Sequence, residues 1–225
     1  MRLAQRQAEL HRNGKEGKSP EVATAMLEAC RAASLQIGGP TLSGLGITSS
    51  IRGEGRTSVA LAMARIQRED YGRSVLLVDL DFDNPNLAQL CGGRTWPGLA
   101  ELARAHDPWF EEFKQPIADG ITFIAAGAAG AFAPRIISDI QRSDLLQRAS
   151  AGYDVVIADL PPLLGCTFGL AVAAWFPDLL LVVRSRVTPL ARIRQATRYL
   201  RATPRVLLNC AESDLPPWLR KLSGS

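Results

Sequence analysis

Apolar and polar positions follow one another along this chain in two rhythms. Short, nearly unbroken apolar runs lie at Leu45–Ile47, Ser74–Asp79, Ile121–Ala126, Tyr153–Asp159, Phe176–Val183 and Arg205–Asn209. Runs of that kind, without alternation, are strands buried on both faces. Between them, apolar residues recur every three or four positions, the period of a helix with one buried face. The first helix opens at Ser19-Pro20-Glu21, with serine placed as cap and proline at the first helical position. Val22, Ala25, Met26, Ala29, Ala33 and Leu35 give it an apolar face as far as Gln36, and Gly38-Gly39-Pro40 ends it. Further helices are predicted from Thr57 to Asp70, from Pro134 to Ala149 with Ile136, Ile137, Ile140, Leu145 and Leu146 inward, and from Pro189 to Ala202. Between Leu87 and Gly120 the pattern is helical but irregular. Trp96-Pro97-Gly98-Leu99 opens a short helix there, and Trp109 and Phe110 read as packing residues. Strands alternating with helices predict one α/β domain, a doubly wound and mostly parallel sheet over residues 19–210. Residues 1–18 read as a flexible basic leader and 211–225 as a Pro-interrupted tail.

Composition narrows the picture. With 225 residues and a hydrophobic fraction of 47%, the chain can bury a full core. The net charge of +4 is carried mostly by the leader, so the body is nearly neutral, which is not a nucleic-acid footprint. The 4 cysteines are scattered without a C-x-x-C pair and read as reduced. The most apolar run, Gly169 to Val183, is broken by Pro177-Asp178 and too short to span a bilayer. The expected location is therefore the cytoplasm, with membrane contact only through a partner.

Candidate chemistry gathers at Ser50-Ile-Arg-Gly-Glu-Gly-Arg-Thr57, between a strand and a helix. Glycines there let consecutive backbone N–H groups approach an anion, and the helix start adds positive potential. The spacing is that of a phosphate loop, except that Ser50 replaces its first glycine and Arg56 its lysine. No lysine lies between Lys18 and Lys114 to stand in. Two buried strands then end in carboxylates, Asp79-Leu80-Asp81 and Asp159, where open α/β sheets bind ligands. A phosphoryl group shares its charge with Mg²⁺, which a hydroxyl (Thr57) and carboxylates (Asp79, Asp159) would hold directly or through water. Asp79, Asp81 and Arg56 are the candidate catalytic residues. Gly53, Glu54, Gly55, Arg56, Thr57 and Ser58 are the candidates for ATP or ADP.

These motifs resemble the bacterial tyrosine kinases (BY-kinases) and related polysaccharide-chain-length proteins, over residues 19–210. Thr48-Ser49 through Gly53-Glu54-Gly55-Arg56-Thr57 is similar to that family's phosphate loop. Val75-Leu-Leu-Val-Asp79-Leu-Asp81 and Tyr153-Asp154-Val-Val-Ile-Ala-Asp159 are similar to its two acidic motifs. The resemblance implies an adenine-contacting role for Asn209. It also implies a subunit contact through Glu28 and Arg31, the kept half of a motif whose second arginine is Ser34. A homo-oligomer and a membrane polysaccharide copolymerase are the implied partners. The departures fall on the chemistry: arginine for lysine at 56, Asp83 where the pattern has arginine, and no tyrosine after Tyr199. The expectation is a P-loop protein regulating capsular or extracellular polysaccharide synthesis and export, with weakened nucleotide binding and lost kinase activity. Two alternatives stay open: an active ATPase or protein tyrosine kinase of the same pathway, and a partitioning or septum-placement ATPase of the same fold. The helix face with Arg194, Arg198 and Arg201 reads as a solvated surface or as a dock for an acidic partner segment.

Overall fold

A computed structural model describes residues 20–105 and 109–210. The leader, the tail and their expected boundaries lie outside the described residues. The elements in chain order are α1 (Pro20–Gln36), β1 (Gly44–Ser49), α2 (Arg56–Glu69), β2 (Val75–Asp79), α3 (Leu87–Cys91), α4 (Leu99–Arg104), β3 (Gln115–Ala118) and β4 (Ile121–Ile124). They continue as α5 (Ala133–Arg142), α6 (Leu145–Ala149), β5 (Val155–Asp159), α7 (Gly169–Ala173), β6 (Asp178–Arg184), α8 (Leu190–Thr197) and β7 (Arg205–Asn209). One seven-stranded sheet has the order β3-β4-β2-β5-β1-β6-β7. Every pairing is parallel except that of edge strand β3 with β4.

Continuous apolar strands are required because both faces are covered. Leu45, Ile47, Val75, Leu77, Val155, Ile157, Leu180 and Val182 point into one core, under α1, α2 and α3. Leu76, Val78, Val156, Ala158, Leu179, Leu181 and Val183 point into the other, under α4 to α8. On that second face β1 contributes Gly46 where a side chain would stand. A Cβ there would lie 2.7 Å from Leu160 and 2.9 Å from Leu179, so the glycine lets neighbouring side chains pack onto the central strand.

Several expectations are corrected. The helix expected over 134–149 breaks into α5 and α6, because Asp144 takes a left-handed conformation (φ 49°) between them. The helix expected to reach Ala202 ends at Thr197, so Arg201 is not on it. Leu35 is exposed, because the inward positions near the end of α1 are Cys30 and Ser34, with Ile37 following just beyond the helix. Trp109 is 69% exposed, and only its neighbour Phe110 packs against the core, with Arg148 stacked over its ring. β3 and α7 were not anticipated. Among the described residues, no helix is long and apolar enough to cross a membrane.

Candidate phosphate site at the strand ends

The β1–α2 loop turns at Gly53 and Gly55, both at positive φ (82° and 91°), which side chains resist. Gly55 caps α2 and, having no side chain, satisfies none of the helix's first N–H groups. Among the described residues, no hydrogen bond from within the protein reaches the N–H groups of Gly53 through Ser58. Six amide donors around a helix start are a phosphate cradle.

The loop is held to the rest of the domain by Glu54, within it, and Asn209, outside it. The buried Glu54 carboxylate accepts hydrogen bonds from the backbone N–H of Ile51 (2.8 Å) and of Arg184 (3.1 Å), and from the Thr188 hydroxyl. Asn209, at the end of β7, donates from Nδ2 to the Glu54 carbonyl (2.8 Å) and accepts from the Cys210 N–H (2.9 Å). The structure thus gives Glu54 and Asn209 the work of shaping the loop. Glu54 presents no charge to a phosphate, since its carboxylate is committed to the far side. A Cβ on Gly55 would collide with the Asn209 amide.

The three expected aspartates come together beside this loop. Asp79 and Asp159 are register partners on neighbouring strands β2 and β5, and both are buried. Asp79 accepts from the N–H groups of Asp81 (3.0 Å) and Leu87 (3.2 Å). Burial and the neighbouring Asp159 charge push the Asp79 carboxyl well above the ordinary range. Burial likewise raises Asp159 to about 6, against the opposing pull of Arg56 and the Thr57 hydrogen bond. Asp81 is raised by burial and drawn back by Arg56 and Arg52.

Arg56 does not point out over the loop. It is buried and turned inward, with Nη2 on Asp81 Oδ2, Nη1 3.4 Å from Ser49 Oγ, and Nε 3.4 Å from Asp159 Oδ1. That last approach is a charge contact without hydrogen-bond alignment, so both atoms are buried and unbonded. Arg52 adds a second cation, 3.5 Å from Asp81 and 3.8 Å from Asp83. Loop arginines therefore neutralise the acidic strand ends. Asp83, where the resembled pattern has arginine, faces one of them.

The candidate nucleotide and metal residues fare differently. The loop amides, with Thr57 and Ser58 at the helix start, line the β1–α2 turn. Magnesium demands near-octahedral oxygen ligands at close range. The Arg56 guanidinium occupies the space between Asp81 and Asp159, so the site does not fit the ion with that side chain in place. Among the described residues no group of three His, Cys, Asp or Glu side chains is arranged to hold a metal. Arg31, of the expected subunit contact, is ion-paired within its own chain to Asp70 (2.8 Å), while Glu28 is exposed. Ser34 is fully buried and accepts from Gln67 Nε2 (3.1 Å), so no arginine could stand there unchanged.

No protein-family model matches the chain. It is 28% identical over 154 residues to EpsB of Ralstonia nicotianae, assigned by name to the tyrosine-protein kinases, covering 68% of this chain and 20% of that one. It is 26% identical over 139 residues to the tyrosine-protein kinase ptk of Acinetobacter johnsonii, covering 62% of this chain and 19% of that one. The chain thus spans about one fifth of the length of the curated relatives it matches. Among solved structures, the kinase domain of VpsO superposes with a TM-score of 0.73 at 22% identity, covering 84% of this chain and 96% of that one. The kinase domain of the Escherichia coli tyrosine kinase ETK does so with 0.70 at 21% identity, covering 84% and 79%. More distantly, a Mycobacterium smegmatis cobyrinic acid a,c-diamide synthase holding an ATP analog and magnesium scores 0.55 at 19% identity, covering 73% and 72%. The relatives of this chain are bacterial tyrosine kinases, and its fold is that of their P-loop kinase domains.

Proposed function

We propose that this chain is a nucleotide-binding, catalytically silenced relative of the BY-kinases. It would regulate synthesis and export of capsular or extracellular polysaccharide at the inner face of the membrane, with a membrane copolymerase as partner. The observation that carries the reading is Arg56. A phosphate-loop lysine follows the migrating charge as a compact point, whereas this guanidinium is fork-shaped and tied to Asp81 and Asp159. Guanidinium pairing with phosphate oxygens still permits ground-state binding. In-line geometry is more exacting, since a displacement of about 1 Å costs about a hundredfold in rate.

The test is single-turnover ATP hydrolysis with Mg²⁺ by three proteins. The natural protein should hydrolyse negligibly, and Arg56→Lys should gain measurable turnover. Adding Asp79→Asn to that variant should abolish it again. Brisk turnover by the natural protein, lost on Arg56→Lys, would replace this reading with an enzyme tuned around arginine.

A further inference from the structure

Arg56 is more than a missing lysine, because its position is that of a charge partner for the strand ends. The carboxylates Asp79, Asp81, Asp83 and Asp159 converge on one side of the loop, and Arg52 and Arg56 are the cations that face them. Arg56 is the buried one of the two, 7% exposed, and it bridges Asp81 through Nη2 and Asp159 through Nε. Its remaining nitrogen approaches the Ser49 hydroxyl on β1. Meanwhile the six amides from Gly53 to Ser58 stay free of partners within the protein, among the described residues. The phosphate cradle and the acidic cluster are both complete, and the positive charge that joins them belongs to the chain.

We propose that Arg56 takes the place of the divalent cation, making this loop a magnesium-independent site for the phosphate chain of a nucleotide. The inference rests on the nucleotide-binding reading above. A metal arriving with the nucleotide would have to displace a guanidinium from buried carboxylates and leave it without a partner, an uncompensated buried charge. A metal-free nucleotide imposes no such displacement. It brings its full negative charge to the loop amides, while Arg56 keeps Asp81 and Asp159 from repelling it. The guanidinium stays charged and is held by its carboxylates, so its contribution to a bound phosphate is the charge it sets against Asp81 and Asp159 beneath the loop.

The experiment is calorimetric titration of the natural protein with ADP, once in excess EDTA and once in excess Mg²⁺. Affinity in EDTA should equal or exceed that in Mg²⁺. Arg56→Lys, which frees the carboxylates from the bridging head group, should instead bind ADP on the order of tenfold more tightly when Mg²⁺ is added. A natural protein that binds ADP only with Mg²⁺, or on the order of tenfold better with it, overturns this inference and leaves the nucleotide-binding reading standing. No binding under either condition overturns both. The natural protein's two titrations suffice to decide, whatever the variant's fold.

Discussion

Burial holds Asp79 and Asp159 toward the protonated form, reinforced at Asp79 by the charge of Asp159 and at Asp159 by that of Asp81. Asp159 titrates near 6 in the folded protein, against 3.8 for the free group. The native chain therefore keeps a proton that the unfolded chain has released, and the associated stability is full below 3.8 and lost as pH rises through about 6. Denaturant midpoints measured across that range should fall with rising pH. Asp79→Asn, which removes a second carboxyl held above its ordinary range, should flatten the fall. Gly55 carries a second expectation: its φ of 91° and the Asn209 amide behind it leave no room for a methyl group. Gly55→Ala should cost about 2 kcal/mol in chemical unfolding and weaken ADP binding by calorimetry. The site's carboxylates were legible because buried apolar runs stop at aspartate. The roles of Glu54 and Asn209 were not, because their bonds join residues 130 and 155 positions apart, beyond any local pattern. Nor does a sequence show which way an arginine head group turns. That choice depends on two carboxylates, Asp81 and Asp159, which the fold brings together at the ends of β2 and β5.

Among the elements, α1 is tied to the sheet layer by a polar link within an otherwise apolar interface. Gln67 on α2 donates to the Ser34 hydroxyl and to the Gly39 carbonyl, and accepts from Arg73. Gln67→Ala would leave these buried or half-buried groups without partners, a loss of about 1–3 kcal/mol measurable as a lower unfolding midpoint. The outer surface of α1 carries Glu28. With Arg31 held by Asp70, any subunit contact there must compete with an internal ion pair. Sedimentation should show an assembly that Glu28→Ala and Arg31→Ala weaken, alone or with the proposed copolymerase. A monomer indifferent to both changes would remove α1 from the interface. The strands of the sheet interior were readable because parallel strands between two helical layers cannot alternate. β3 was not, since Gln115-Pro-Ile-Ala118 is a short antiparallel edge with little apolar signal. The break at Asp144 escaped notice because periodicity counts residues and does not register one left-handed residue within an apolar repeat. Leu35 failed similarly: the inward rhythm of α1 runs through a serine.

At the scale of the molecule, the sheet is assembled out of sequence order. β1, first in the chain, lies between β5 and β6, and it cannot be paired on either side until those strands exist. Long-range pairing of this kind slows folding, because loop closure precedes the contacts that compensate it. The phosphate loop goes one step further, for its carbonyl at Glu54 is fastened by Asn209 on β7, a strand that itself needs β6. A molecule cleaved ahead of Arg205 would therefore lose the loop's anchor along with an edge strand. Asn209→Ala is the milder version: ADP affinity should drop on the order of tenfold, read by calorimetry, as the loop loses one of its fastenings. The same fastening sets a clock during synthesis. A gap of 155 residues, at about 5–20 residues per second, keeps a nascent chain on the ribosome on the order of ten seconds after its loop has been made. Throughout that interval the loop lacks the Asn209 fastening, so the newborn chain completes its glycine-rich turn among the last of its structures.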